Sequence, residues 1–141
     1  MTYPALFEPD PKGGVLVSFP DFGHATHGDD QTEANVMAQD LLLQMLTHLI
    51  VEKQDIPEPG KPRGKHVRYV AIPALAAAKV ELYQELRAAR ITKAELARRM
   101  GQAKQQVERL FDLRRYSRLD QIEAAFAALG KEIEIEVRDA A

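Results

Sequence analysis

The apolar positions of this chain fall into short runs before residue 20 and recur at helical spacing from about residue 30 onward. Tyr3–Glu8 predicts a strand, Pro9–Gly14 a turn ending in two glycines, and Val15–Phe19 a second strand, together a β-hairpin. Pro20 ends the hairpin, and Asp21–Asp29 reads as a loop. Asp30 is placed to cap a helix with Glu33 three residues on; the helix runs to about Lys53, with Val36, Ala38, Leu41, Leu42, Met45, Leu49 and Ile50 as its apolar face. Gln54–His66, with three prolines and two glycines, reads as a loop, and Val67–Ile72 as a third strand closed by Pro73.

The second half is helical until its end. Ala74–Arg90 carries Leu75, Leu82, Leu86 and Ala89 on one face. Thr92–Asp112 then reads as two short helices hinged at Gly101. Thr92 and Glu95 form a capping box, Leu96, Ala97 and Met100 face inward, and Val107, Leu110 and Phe111 face back from the second helix. Leu119–Leu129 is a further helix, stepping through Leu119, Ile122, Ala125, Phe126 and Leu129 and capped by Gly130. Glu132–Val137 (EIEIEV) alternates acidic and β-branched residues and predicts a short strand. The expected fold class is α+β: a sheet-and-helix domain over 1–72, then an all-α helix-turn-helix domain with a short C-terminal strand over 74–141.

Composition adds exclusions. A chain of 141 residues, 45% hydrophobic and 28% charged, suits one domain or two small ones. It has no cysteine, hence no disulfide or thiolate metal site. The N-terminus lacks the basic start and apolar run of a signal peptide, and Leu41–Val51 is too short and too polar to span a bilayer, so a cytoplasmic protein with no membrane association is expected. The net charge of −2 hides a division. Residues 1–66 hold ten acids against five bases, a net of −5; residues 87–118 hold ten bases against three acids, a net of +7. The basic block coincides with the helix-turn-helix, where it would neutralise phosphates; the acidic half suits a basic protein partner.

Lys104, Gln105, Gln106 and Arg109 are left on the outer side of the second short helix, against the alternative of a merely solvated face. Glutamine reads adenine through two hydrogen bonds, and lysine or arginine reads guanine or phosphate, so these residues point to the major groove of DNA. Arg114, Arg115 and Arg118 follow as candidate phosphate contacts. An enzymatic reading is weaker. His24 and His27 lie in a polar loop with Asp21, Asp29 and Asp30 but without a third spaced ligand. A two-metal nuclease would draw on Glu8, Asp10, Asp21 and Asp40, yet Asp10 stands between two prolines. The expectation is a binding protein, with no catalytic residue, metal or cofactor.

Taken together, Phe19-Pro20-Asp21, Gly23-x-Ala25-Thr26-x-Gly28, Glu33-Ala34 with Ala38 and Asp40, and Ile56-Pro57-Glu58-Pro59 resemble the N-terminal domain of HicB-type antitoxins. Ala94-Glu95-Leu96-Ala97, Met100-Gly101 and Ala128-Leu129-Gly130-Lys131 are similar to the Xre or lambda-repressor-like helix-turn-helix that many of them carry. The resemblance implies an N-terminal partial ribonuclease-H-like sheet with a helix laid on it, which binds and neutralises a HicA-type RNA-cleaving toxin. It implies a C-terminal domain that represses the operon by binding operator DNA, as a homodimer or higher oligomer. Three positions depart from the pattern. Ala103 replaces the usual Ser or Thr cap of the second helix, which costs roughly 0.5–2 kcal/mol. Lys93 stands where a glutamine commonly clamps phosphate, and Asp112 would repel it. The alternative is a stand-alone helix-turn-helix repressor whose N-terminal domain oligomerises or senses a ligand.

Overall fold

A computed structural model describes residues 1–140, and the chain divides into two compact units, Met1–Ala77 and Ala78–Ala141. In the first, strands β1 (Thr2–Pro9) and β2 (Val15–Phe19) form the expected antiparallel hairpin, with Phe7 opposite Val17. Its turn is closed by Asp10, whose amide donates to the Gly14 carbonyl at 3.0 Å and whose carboxylate accepts from the Lys12 amide at 2.9 Å. A second turn folds Phe22 and Gly23 back onto the Phe19 carbonyl. The chain then forms β3 (His24–Gly28), antiparallel to β2 with Val17 opposite Thr26.

This strand corrects the reading of Asp21–Asp29 as a loop. HATHG carries no apolar alternation, and its extended backbone is held by the ladder to β2 rather than by its own side chains. It is short, polar and at the sheet edge, which blunts that edge against pairing with other chains. Strand β4 (Val67–Ala71) pairs antiparallel with the other side of β1, giving the order β3-β2-β1-β4.

Helix α1 (Gln31–Val51) packs on this sheet. The Asp30 carboxylate accepts from the Glu33 amide at 2.8 Å, as the cap predicts. Gly28 lets the first turn approach β3: a Cβ there would lie 2.3 Å from the Ala34 nitrogen and 2.6 Å from its Cα. The buried stripe is Ala34, Ala38, Leu42, Met45, Leu46 and Ile50, set against Tyr3, Ala5 and Phe7 of β1 and Val17 and Phe19 of β2. Val36, expected in that stripe, is 62% exposed. Two residues advance a helix by about 200°, so a stripe through Ala34 and Ala38 turns Val36 outward. The 52–66 segment has little regular structure but is anchored. The Tyr3 hydroxyl donates to the Pro57 carbonyl at 2.7 Å, and the Gly60 amide donates to both Asp21 carboxylate oxygens at 3.0 and 3.1 Å.

Helix α2 (Ala74–Ala88) leads into the second unit, where Val80, Leu82, Tyr83 and Leu86 are buried and Ala89 is exposed. Helices α3 (Lys93–Met100), α4 (Lys104–Glu108) and α5 (Leu119–Ala128) complete it around Leu96, Ala97, Val107, Leu110, Phe111, Leu113, Ile122, Ala125 and Phe126. Two expectations fail here. The second short helix does not run through to Asp112: five α-helical residues pass into a 3₁₀ turn, Arg109–Phe111. And Glu132–Val137 forms no strand among the described residues, because nothing there offers its backbone a partner.

Candidate nucleic-acid interface

The Thr92 side chain begins α3 by accepting the Glu95 amide at 3.1 Å. The Glu95 carboxylate is held by Arg98 and Arg99, so only the threonine half of the predicted capping box carries the cap. These two guanidiniums pull the Glu95 carboxyl down to about 2, Arg98 having the larger effect. Gly101 closes α3 with φ 66°, the left-handed turn its position requires, and its amide and that of Gln102 return to the carbonyls of Arg98 and Ala97. Ala103 then starts α4 with no side-chain cap, as its identity dictates. The Ala103 carbonyl accepts the amides of Gln106 and Val107.

On α4 and its 3₁₀ extension the sides separate cleanly. Val107, Leu110 and Phe111 are buried, while Lys104, Gln105, Gln106 and Arg109 are exposed together. Two amide side chains able to donate and accept at once thus stand between two fixed cations, a set that can read base edges and phosphates. Lys104, Arg109 and Arg114 have no ion-pair partner among the described residues. The other candidate cations are engaged. Lys93 lies 3.0 Å from the Glu108 carboxylate and over the Phe111 ring, 5.1 Å from its centroid, so it ties the start of α3 to α4. A phosphate clamp at Lys93 would have to compete with Glu108. Arg115 sits 3.6 Å from Asp112, and Arg118 2.8 Å from Asp120. Asp112 also accepts the Arg114 amide at 3.1 Å, so its charge is partly answered within the loop.

The residue that organises this surface is one sequence reasoning missed. Lys79, on α2, is fully buried, and its ammonium donates to the carbonyls of Arg109, Asp112 and Arg115 at 3.0, 2.8 and 2.7 Å. It gathers the end of the 3₁₀ turn and the following loop onto one point, fixing the backbone from which Arg109, Arg114 and Arg115 project. Burial pushes this ammonium below the usual lysine range, with Asp112 opposing and Arg115 adding to the shift. The signal was present: Lys79 lies on the stripe Ala76–Lys79–Val80–Tyr83, a lysine at a core position. Drawing the face through Leu75 and Ala89 instead hid it.

In the first unit the candidate catalytic groups take structural roles, and Asp10 and His27 come within 3.6 Å of each other beside the hairpin turn. Asp10 shapes the hairpin turn, and Asp21 holds Gly60. His24 and His27 stand three apart on β3, so strand alternation turns them to opposite faces. The His27 Nε2 lies 2.9 Å from the Gly13 carbonyl.

Comparison with known proteins covers both units. The profile of one family, described as the HicB-like antitoxin of bacterial toxin–antitoxin systems, matches residues 2–81. Antitoxin HicB of Escherichia coli (strain K12) is 38% identical over 136 residues, 96% of this chain and 98% of the relative. Antitoxin HicB 1 of Photorhabdus laumondii is 38% identical over 138 residues, 97% of this chain and 87% of the relative. Antitoxin HicB of Pseudomonas fluorescens is 34% identical over 113 residues, 80% and 77% of the two chains. The profile match covers nearly all of the sheet-and-helix unit, the first two relatives align over 96% and 97% of the chain, and the chain belongs to the HicB-like antitoxins of bacterial toxin–antitoxin systems.

Proposed function

We propose that this antitoxin binds and neutralises a HicA-type mRNA-cleaving toxin through its sheet-and-helix unit, and represses its own operon through the helical unit. It would act as a cytoplasmic homo-oligomer and as a binder rather than a catalyst. The observation that carries the reading is the relation to named antitoxins along almost the whole chain, so that both units have counterparts in them. The charge division supports the same assignment of roles. A net of −5 over 1–66 suits a basic, RNA-binding toxin, and a net of +7 over 87–118 suits DNA.

On the DNA side, Gln105 and Gln106 would read bases, Lys104 and Arg109 guanine or phosphate, and Lys93, Arg114 and Arg115 the backbone. Two experiments test the two roles separately. The full chain, co-expressed with a HicA-type toxin, should relieve growth arrest and mRNA cleavage; a folded chain that leaves the toxin active refutes neutralisation. Binding to the promoter fragment upstream of its gene should weaken by about 1–3 kcal/mol for each base pairing lost in Gln105→Ala and Gln106→Ala. Unchanged operator binding by both variants refutes this placement of the recognition surface.

A further inference from the structure

The acidic character of the first unit is not uniform along its chain. Residues 1–60 hold ten acids against Lys12 and Lys53, a net of −8. Residues 61–68 hold Lys61, Arg63, Lys65 and Arg68 and no acid, a net of +4, and no acid follows until Glu81. All four cations are exposed, and none has an ion-pair partner among the described residues. An ordinary solvated surface intersperses its signs; an unanswered run of one sign inside an oppositely charged unit fits a polyanion. The run is also held at both ends. The Gly60 amide is fixed by the Asp21 carboxylate, and the His66 carbonyl accepts the Phe7 amide at 2.9 Å.

From this run the chain passes directly into β4, an edge strand of the sheet. Strand alternation puts Arg68 with the buried Val70 on the α1 side, where the Arg68 guanidinium lies 5.7 Å from the centroid of the Phe7 ring. Val67 and Tyr69 fall on the opposite side, beside Leu6 and Pro4 of β1. Tyr69 is 57% exposed there, an aromatic ring on a small apolar platform at the end of a cationic run. We propose that Lys61, Arg63, Lys65 and Tyr69 form a site for single-stranded RNA, the three cations on its phosphates and the tyrosine ring stacked on one base. The chemistry selects this occupant. Cations without acids repel the basic toxin proposed above and attract a phosphate backbone. An exposed ring adds stacking, which requires a base splayed out of its own helix; a single strand offers one and an intact duplex does not.

Fluorescence anisotropy of the full chain with a labelled oligouridylate of about 12 nucleotides tests the site. Replacing Lys61, Arg63 and Lys65 together by glutamine should weaken binding at least about tenfold at low salt. It should also lower the slope of log K against log salt by about 2, since each phosphate contact on a single strand contributes about 0.7. Tyr69→Ser should weaken binding about fivefold or more, and Tyr69→Phe, which keeps the ring, should stay within about twofold of wild type. Every replaced side chain is exposed, so the variants should melt with the wild type. They should also bind the duplex promoter fragment as the wild type does, because Lys104, Gln105, Gln106 and Arg109 are untouched. An RNA affinity and salt slope unchanged in the triple variant would assign RNA binding to the basic block over 87–118 and overturn the proposal. Wild-type RNA affinity in Tyr69→Ser overturns it as well, and so does an equal loss on RNA and duplex in both variants. A triple variant that keeps its RNA affinity but no longer neutralises the toxin would give the run to the toxin instead; the antitoxin reading would then stand and the RNA site would fall.

Discussion

Replacing Lys79 by methionine keeps a long unbranched side chain in the core of the helical unit and removes every donor. Three carbonyls, of Arg109, Asp112 and Arg115, lose an ammonium at 3.0, 2.8 and 2.7 Å. Hydrogen bonds to a charged group are worth roughly 1.5–3 kcal/mol each, which sets an upper bound of roughly 5–9 kcal/mol. Two effects reduce it. The ammonium is itself disfavoured by burial, which the substitution relieves, and water can reach carbonyls in a surface loop. A net loss of about 2–4 kcal/mol follows, a large share of the roughly 5–15 kcal/mol that holds a typical protein folded. Urea unfolding of the full chain measures it, and amide exchange locates it: protection should fall over 104–116 and persist in β1 and β2. Operator affinity should fall as well, since the loop carrying Arg114 and Arg115 loses its anchor. A loss below about 0.5 kcal/mol with unchanged exchange over 104–116 would refute the idea that this lysine organises the surface.

Gly28→Ala should destabilise the sheet-and-helix unit by about 1–3 kcal/mol, because its Cβ meets the backbone of Ala34 rather than a movable side chain; a melt within 1 °C of wild type would contradict this. Ala103→Ser supplies the missing cap of α4 and should stabilise the helical unit by about 0.5–2 kcal/mol, read as a shift in urea midpoint. A carboxyl NMR titration should find Glu95 ionising near 2 instead of its ordinary 4.5. Since its folded value is the lower one, its contribution to stability is complete above 4.5 and lost as pH falls toward 2; Glu95→Gln should flatten that part of the acid limb.

Much of this molecule is legible residue by residue. The hairpin, the long helix and its Asp30 cap, the Thr92 start and Gly101 end of α3, and the polar face of α4 all depend on neighbours within about four positions, where periodicity and capping chemistry act. The division of charge is likewise a property of order along the chain. The candidate reading surface could therefore be named from sequence, down to Gln105 and Gln106.

What the tertiary structure decided lies at longer range. β3 is a strand because β2 offers it a ladder, and the 132–137 segment is not one because nothing does. Which side of α1 is inside was settled by the sheet, which takes Ala34 and Leu46 and leaves Val36 in water. Lys93 is drawn to Glu108, fifteen residues away, and Lys79 to carbonyls thirty to thirty-six residues away. Local sequence shows which hydrogen bonds a residue can make. Only the packed fold shows which distant groups burial obliges it to satisfy, and in this protein that obligation shapes the backbone of the candidate reading surface.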